Sequence, residues 1–458
     1  MPMEQSKPGW MPVPAPQMRE AIERQVLEVA ARLQDIEYTA KLAKSPENGL
    51  ESGGTQHGLF HPASLASGYT GISLLYAELD KGDPDDGWDV KGHALLTAVQ
   101  QELQRAGIQG LGLWTGLAGI CFAVHLLSRQ GTRYQLFLQK LEEQLGKRLP
   151  EFLLGAKQRA QTGLVMGDYD VINGAAGIAR YLLLRLDQPG MEKLLREVIA
   201  YLLIVAGEKE LSGQTVPAWH IAKENQATRA DKARFPQGNF NCGLSHGIPG
   251  VLALLSIALQ RGVEVDGQGE AIQRIAEWLL AWKQSDAYGA LWAPQLSLEN
   301  VRGVKQIDPF VHREAWCYGT PGVARALWLA GEALGRAEWK RIALESYRGT
   351  FRRPQELWNL YAPTICHGYA GLLLMTQRMY VDSGDEELGA IRDRLTEQVI
   401  AMFAKEAPFG FCEVQRNSTG DRQLHYPGLL DGAAGTSLVL LSLLRDEAPG
   451  WERAFLLT

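Results

Sequence analysis

Two cysteines and a histidine stand at matched places in this 458-residue chain: Cys317 just before Gly319-Thr-Pro-Gly322, and Cys366-His367 just before Gly368-Tyr-Ala-Gly371. Two soft thiolates and an imidazole are a donor set that zinc accepts in a tetrahedral site, with the fourth position left for water or substrate. Softness favours zinc over magnesium or calcium. Because two thiolates cancel the ion's charge, such a site suits a third thiolate. The competing reading is packing, with small buried cysteines and a hydrogen-bonded core histidine. A matched pair with an adjacent histidine favours zinc.

Other reactive side chains stand at neighbouring Gly-x-x-Gly turns. Asp168-Tyr-Asp170-Val-Ile-Asn173 precedes Gly174-Ala-Ala-Gly177, Ser245-His246 precedes Gly247-Ile-Pro-Gly250, and Arg313, Trp316 and Tyr318 flank Cys317. His246 titrates near neutrality and is a candidate general acid or base, its plainer reading being a helix N-cap. Asp170 either orients His246, takes a proton itself, or caps its own turn. Arg313 and Tyr318 could stabilise an oxyanion or enolate. Their plainer readings are a surface ion pair with Glu314 and an aromatic packing contact. Cys121, inside Ile120-Cys-Phe-Ala-Val124, reads as core, while Cys242 and Cys412, near loops, are open to either reading.

The elements that must carry these residues repeat. Seven copies of Gly-x-x-Gly begin at Gly68, Gly116, Gly174, Gly247, Gly319, Gly368 and Gly432, spaced 48 to 73 residues apart. That is room for two helices and a loop. Each copy leads into an apolar helical stretch, and amphipathic helices are expected over 93–105, 134–152, 191–206, 271–283 and 387–404. Paired glycines at a helix start allow positive φ and close backbone approach. An open solenoid of such pairs would need polar capping repeats, and none is obvious; a closed ring needs none. The expected fold is therefore all-α: an α/α toroid, a double ring of helices whose seven turns gather around one central pocket. Residues 1–42 are expected to form an irregular, proline-rich arm and a helix over 21–35, and 43–458 a single toroid domain. Segments 208–241, 284–312 and 409–427 read as loops or short strands over the mouth of the pocket.

Composition removes several classes. With 46% hydrophobic residues a large core is available, and a net charge of −6 argues against nucleic acid as a partner. Five widely spaced cysteines, an odd number, argue against a secreted disulfide framework. No signal peptide or bilayer-length apolar run is present. The expectation is a cytoplasmic protein without a membrane span, able to reach a membrane surface through partners.

Taken together, Tyr169-Asp170-Val-Ile-Asn-Gly174, Ser245-His246-Gly-Ile-Pro-Gly250, Arg313-Glu-Ala-Trp-Cys317-Tyr-Gly319 and Cys366-His367-Gly-Tyr-Ala-Gly371 resemble the LanC-like family of lanthipeptide (lantibiotic) cyclases. The resemblance spans residues 68–443. It implies an α/α toroid with seven inner helices and zinc held by Cys317, Cys366 and His367. It also implies acid/base work by His246 and Asp170, with Arg313 and Tyr318 in support. The implied reaction is a Michael-type addition in which a cysteine thiol of a precursor peptide attacks dehydroalanine or dehydrobutyrine and closes a thioether ring. Implied partners are a dehydrated, leader-bearing precursor peptide, a separate dehydratase and an exporter. Three alternatives are weighed beside it. A LanC-like enzyme that adds glutathione to dehydroamino acids would use the same residues. A non-catalytic peptide-binding toroid would leave His246 idle, and a toroidal glycosidase would leave the cysteines unexplained.

Overall fold

All seven Gly-x-x-Gly turns open a helix in the computed structural model, which describes residues 10–52, 55–417 and 420–458. These helices are Tyr69–Gly82, Leu117–Leu127, Ala175–Leu184, Ile248–Gln260, Thr320–Ala333, Tyr369–Ser383 and Ala433–Ser442. They are apolar nearly all round, as a helix must be when neighbours cover it on every side. In Ile248–Gln260, every residue from Ile248 to Ala258 is buried.

The expected amphipathic helices are found at Trp88–Ala106, Gln135–Thr162, Met191–Val205, Gln268–Ala281 and Glu386–Ala401, the second continuing through Pro150 well past its expected end at 152. Met191–Val205 buries Met191, Leu195, Val198, Ile199, Leu202 and Val205, a stripe at three- and four-residue intervals. A sixth, Ala337–Arg352, is not among the expected segments, although the repeat spacing leaves room for it; Trp339, Ala343 and Tyr347 supply its buried face. The first described helix, Pro16–Arg32, starts with proline at a position where no backbone N–H is needed. Residues 1–9 of the expected arm lie outside the described residues.

The paired glycines act differently from expectation. Six of the seven first glycines are N-caps with given dihedrals, and only Gly319 has positive φ, at 111°. Close approach is the common requirement. At the second glycine of six of the turns a methyl would meet a carbonyl six residues back, as at Gly71 on Leu65 at 2.1 Å, Gly177 on Val171 at 2.1 Å, Gly371 on Ile365 at 1.8 Å and Gly435 on Leu429 at 1.7 Å. The preceding loop is folded over the helix start, where its carbonyls accept the otherwise unpaired first N–H groups, as in Tyr69 to Pro62, Leu117 to Gly110, Tyr369 to Ala362 and Ala433 to Tyr426. No side-chain cap is used at these six.

The chain forms two compact units. The first comprises residues 1–108, 122–138 and 360–452, and the second 109–121, 139–359 and 453–458. In the first, Tyr69–Gly82 packs on Trp88–Ala106, Tyr369–Ser383 on Glu386–Ala401, and Ala433–Ser442 on Pro16–Arg32. Its turns are tied by Cys366 N–H donating to Leu430 O and Leu430 N–H to Ala66 O. In the second, Ala175–Leu184 packs on Met191–Val205, Ile248–Gln260 on Gln268–Ala281, and Thr320–Ala333 on Ala337–Arg352. There Trp114 N–H donates to Ile172 O, Val171 N–H to Ser245 O, and Ser245 N–H to Cys317 O. Successive turns are thus stitched edge to edge within each unit.

The long inter-repeat segments carry short strands. Glu208–Leu211 pairs with Gln214–Pro217 as a hairpin, and Asn239–Asn241 pairs antiparallel with Gln295–Ser297, joining segments 208–241 and 284–312. In the first unit Glu413–Asn417 pairs with Gly420–Leu424.

Candidate active site

In the second unit, the turns put Asp170 and His246 in contact. Asp170 Oδ1 accepts from the N–H groups of Asn173 and Gly174, both at 2.8 Å, so it does hold its own turn. Its other oxygen stands 2.6 Å from His246 Nδ1. One oxygen thus makes the contacts of a cap and the other meets His246. The aspartate side chain is 1% exposed and the histidine 33%, so a buried anion grips a ring that still reaches solvent. Burial pulls the His246 pKa down, but the hydrogen bond and charge of Asp170, with the nearby Cys317 thiol, outweigh it and leave the pKa raised. Nδ1 is committed to Asp170; Nε2 is the nitrogen left for proton transfer.

Cys317 lies beside this pair, its carbonyl accepting from both the N–H and the hydroxyl of Ser245. The segment around it is pinned from three directions. Trp316 packs against Trp114 and Phe455 with ring centroids 5.7 and 5.2 Å away, and its indole N–H donates to Phe455 O. Glu314 is fully buried, accepts from Thr350 Oγ1 at 3.0 Å and pairs with Arg353 at 3.2 Å. The Arg313–Glu314 surface pair weighed from sequence is therefore not what forms: Glu314 points inward to Arg353, and Arg313 is left half-buried at the head of the segment. Tyr318 is more than a packing contact. Its hydroxyl accepts from Asn241 Nδ2 at 2.9 Å, and burial, the largest influence, raises its pKa, so it stays protonated and can donate.

Asn241 escaped the sequence reading. Its Oδ1 accepts from Gly243 N–H at 2.9 Å, fixing the loop before His246, and its amide fixes Tyr318. The one available signal was its place in Asn239-Phe-Asn-Cys-Gly-Leu-Ser-His246, just ahead of a loaded turn.

Cys366 and His367 belong to the first unit, both partly exposed. Two carboxylates face the imidazole: Glu413 Oε1 at 3.4 Å from Nε2, and Asp431 Oδ1 at 3.6 Å from Nδ1. The ligand atoms of His367, Glu413 and Asp431 all lie within 4.8 Å of one another. Asp431 stands directly before the seventh turn, Gly432-Ala-Ala-Gly435, whereas Glu413 lies on a strand that carries no motif.

All five cysteines are free. Cys121 is fully buried, as expected of a core residue. Burial pushes the Cys242 thiol up to about 12 and the Cys412 thiol up to about 11, which opposes their use as thiolates.

The family model for lanthionine synthetase C-like protein matches residues 60–456. The chain belongs to the lanthionine synthetase C-like family. Its sequence is 28% identical over 364 residues to the nisin biosynthesis protein NisC of Lactococcus lactis subsp. lactis, covering 77% of this chain and 83% of that protein. The solved structure of nisin cyclase superposes with a TM-score of 0.77 at 24% identity, covering 96% of this chain and 98% of the other. That likeness gives this family member the α/α-toroid fold expected from its seven turns. Among the described residues, no helix is long and apolar enough to cross a membrane.

Proposed function

We propose that this chain is a zinc-dependent lanthipeptide cyclase. It would join cysteine thiols of a dehydrated precursor peptide to dehydroalanine or dehydrobutyrine in the same peptide, giving lanthionine and methyllanthionine rings. Family membership supplies the reaction class, and the likeness to nisin cyclase supports it. The observation that carries the reading to mechanism is the 2.6 Å contact of Asp170 with His246 beside Cys317.

Cys317, Cys366 and His367 are the residues we assign to the metal. Two thiolates and an imidazole are the donor chemistry of a three-ligand catalytic zinc site. When bound, zinc supplies a Lewis acid that lowers the substrate thiol's pKa and presents it as thiolate. The remaining work belongs to the chain. As the S–C bond forms at Cβ of the dehydroamino acid, the π pair moves onto its carbonyl oxygen. Tyr318, held protonated by its buried setting, is a donor for that oxygen, and Arg313 a charge nearby. The enolate then collapses and Cα takes a proton from His246 Nε2, Asp170 holding the ring by Nδ1 and stabilising its charged form. The thiol's own proton restores the imidazolium, so atoms and charge balance over the cycle. The substrate peptide comes from a dehydratase acting first, with export to follow.

The test is zinc content and thiol consumption by wild type and Cys366→Ala on a dehydrated, cysteine-bearing peptide. One zinc per chain with thiol loss, both abolished by the substitution, is expected. Thiol loss only with added glutathione would move the assignment to glutathione addition. A wild type without zinc would overturn the metal assignment.

A further inference from the structure

Every zinc-binding histidine has a second ring nitrogen, and what holds that nitrogen fixes the tautomer and the ring plane. For His367 two carboxylates compete for the role, and they are not equivalent. Glu413 is 6% exposed in its side chain, Asp431 24%. Glu413 is itself built in: Thr364 Oγ1 donates to its Oε2 at 2.5 Å, and Val414 N–H donates to its Oε1 at 3.0 Å. Thr364 stands two residues before Cys366 in the same turn, and its carbonyl accepts from Gly371 N–H. A threonine, a carboxylate and an imidazole therefore form a relay from the turn's own framework to His367. The strand that carries Glu413 is braced in turn by antiparallel pairing from Glu413 with Leu424 to Asn417 with Gly420.

We propose that Glu413 is the positioning residue of the metal site: it takes the Nε2–H of His367, which leaves Nδ1 as the nitrogen that binds the ion. Asp431, on the Nδ1 side, is then not the anchor. This rests on the zinc reading above and adds to it a residue that no motif marks. It also assigns a task to the hairpin Glu413–Asn417 and Gly420–Leu424, whose first residue reaches into the site. A glutamine at 413 matches the shape but loses the charge that fixes the tautomer, and its amide can turn an N–H toward the ring.

The experiment is zinc affinity of the full chain by competition with a chromophoric chelator, for wild type, Glu413→Gln, Glu413→Asp, Asp431→Asn and Thr364→Val, each checked for folding by circular dichroism. Loss of a partner behind a ligating histidine weakens metal binding about 10- to 100-fold. That loss is expected for Glu413→Gln at unchanged one-to-one stoichiometry, with a smaller loss for Thr364→Val and part recovery in Glu413→Asp. The cobalt-substituted Glu413→Gln protein is expected to show an altered ligand-field spectrum, which a merely structural role would not produce. A folded Glu413→Gln with wild-type affinity overturns the proposal, as does weakening confined to Asp431→Asn. If Glu413→Gln does not fold, Thr364→Val decides: unchanged affinity there overturns it. A wild type that binds no zinc instead removes the zinc reading itself, a separate result.

Discussion

His246 and His367 each meet a buried carboxylate, and the two arrangements differ in a way that separates their tasks. Asp170 reaches one nitrogen of His246 at 2.6 Å and holds its own place with two backbone N–H groups. His367 faces Glu413 and Asp431 at 3.4 and 3.6 Å, one on each nitrogen. The short, single contact commits one nitrogen and raises the ring's proton affinity, which suits a proton donor. The longer, two-sided setting leaves a nitrogen that a cation can take over, which suits a ligand. On the proposed mechanism, a histidine facing a carboxylate would thus serve as an acid in one unit and as a metal ligand in the other, according to distance and number of partners.

Removing each imidazole separates these roles most sharply. His367→Ala is expected to lose both zinc and ring formation. His246→Ala is expected to keep one zinc per chain while its rate falls about 10²- to 10⁴-fold, the usual worth of a general acid. Metal analysis alongside turnover reads both. Loss of zinc in His246→Ala, or its retention in His367→Ala, would show the two sites to be assigned the wrong way round.

Tyr318→Phe comes next. It deletes the hydroxyl that Asn241 holds and that we place on the enolate oxygen. Removing one such donor costs about 10²- to 10³-fold in kcat. KM and zinc content are expected to stay near wild type, and a purely KM effect would return Tyr318 to a packing role.

A pH profile tests the carboxylate's part in the first pair. Asp170 raises the His246 pKa against the opposing pull of burial. A raised folded-state pKa favours the folded protein fully below the unfolded histidine's value, about 6.5. That contribution is lost as pH climbs through the folded-state pKa. The active acid disappears over that same upper range. In Asp170→Asn the charge is gone, so the alkaline fall in rate is expected at lower pH than in wild type. An unmoved alkaline limb would mean that another group titrates there.

Much of this was readable in the chain because the repeat puts chemistry next to punctuation. Cys317, Cys366, His367, His246 and Asp170 all stand within a few residues of a Gly-x-x-Gly, so a local pattern marks them. The helices were legible for the same reason, each turn being followed by an apolar run. Two partners were not. Glu413 reaches His367 from 46 residues further on, through a hairpin with no distinctive sequence, and Asn241 meets Tyr318 across a gap of 77 residues. Contacts made by folding across such distances leave no local spacing to read. The glycines taught a related lesson. Their occurrence was plain, but carbonyls six residues back exclude a side chain at six of the second glycines, and positive φ appears at only one of the six dihedral-defined first glycines, Gly319.

Cys412 offers the smallest expected effect and for that reason a strict one. It is the residue just before Glu413, and successive side chains along an extended chain point to opposite sides. Glu413 turns to His367, while Cys412 Sγ lies 3.3 Å from His425 Nδ1. Burial pushes its thiol up to about 11 and the His425 pKa down, so the pair stays neutral rather than forming thiolate and imidazolium. Cys412→Ser is therefore expected to leave zinc stoichiometry and affinity unchanged, with a stability change of about 1 kcal/mol or less for one altered neutral contact. A fall in zinc affinity would put a third thiol at the metal. The Glu413 side of His367 would then be a ligand cluster in its own right rather than the anchor behind it.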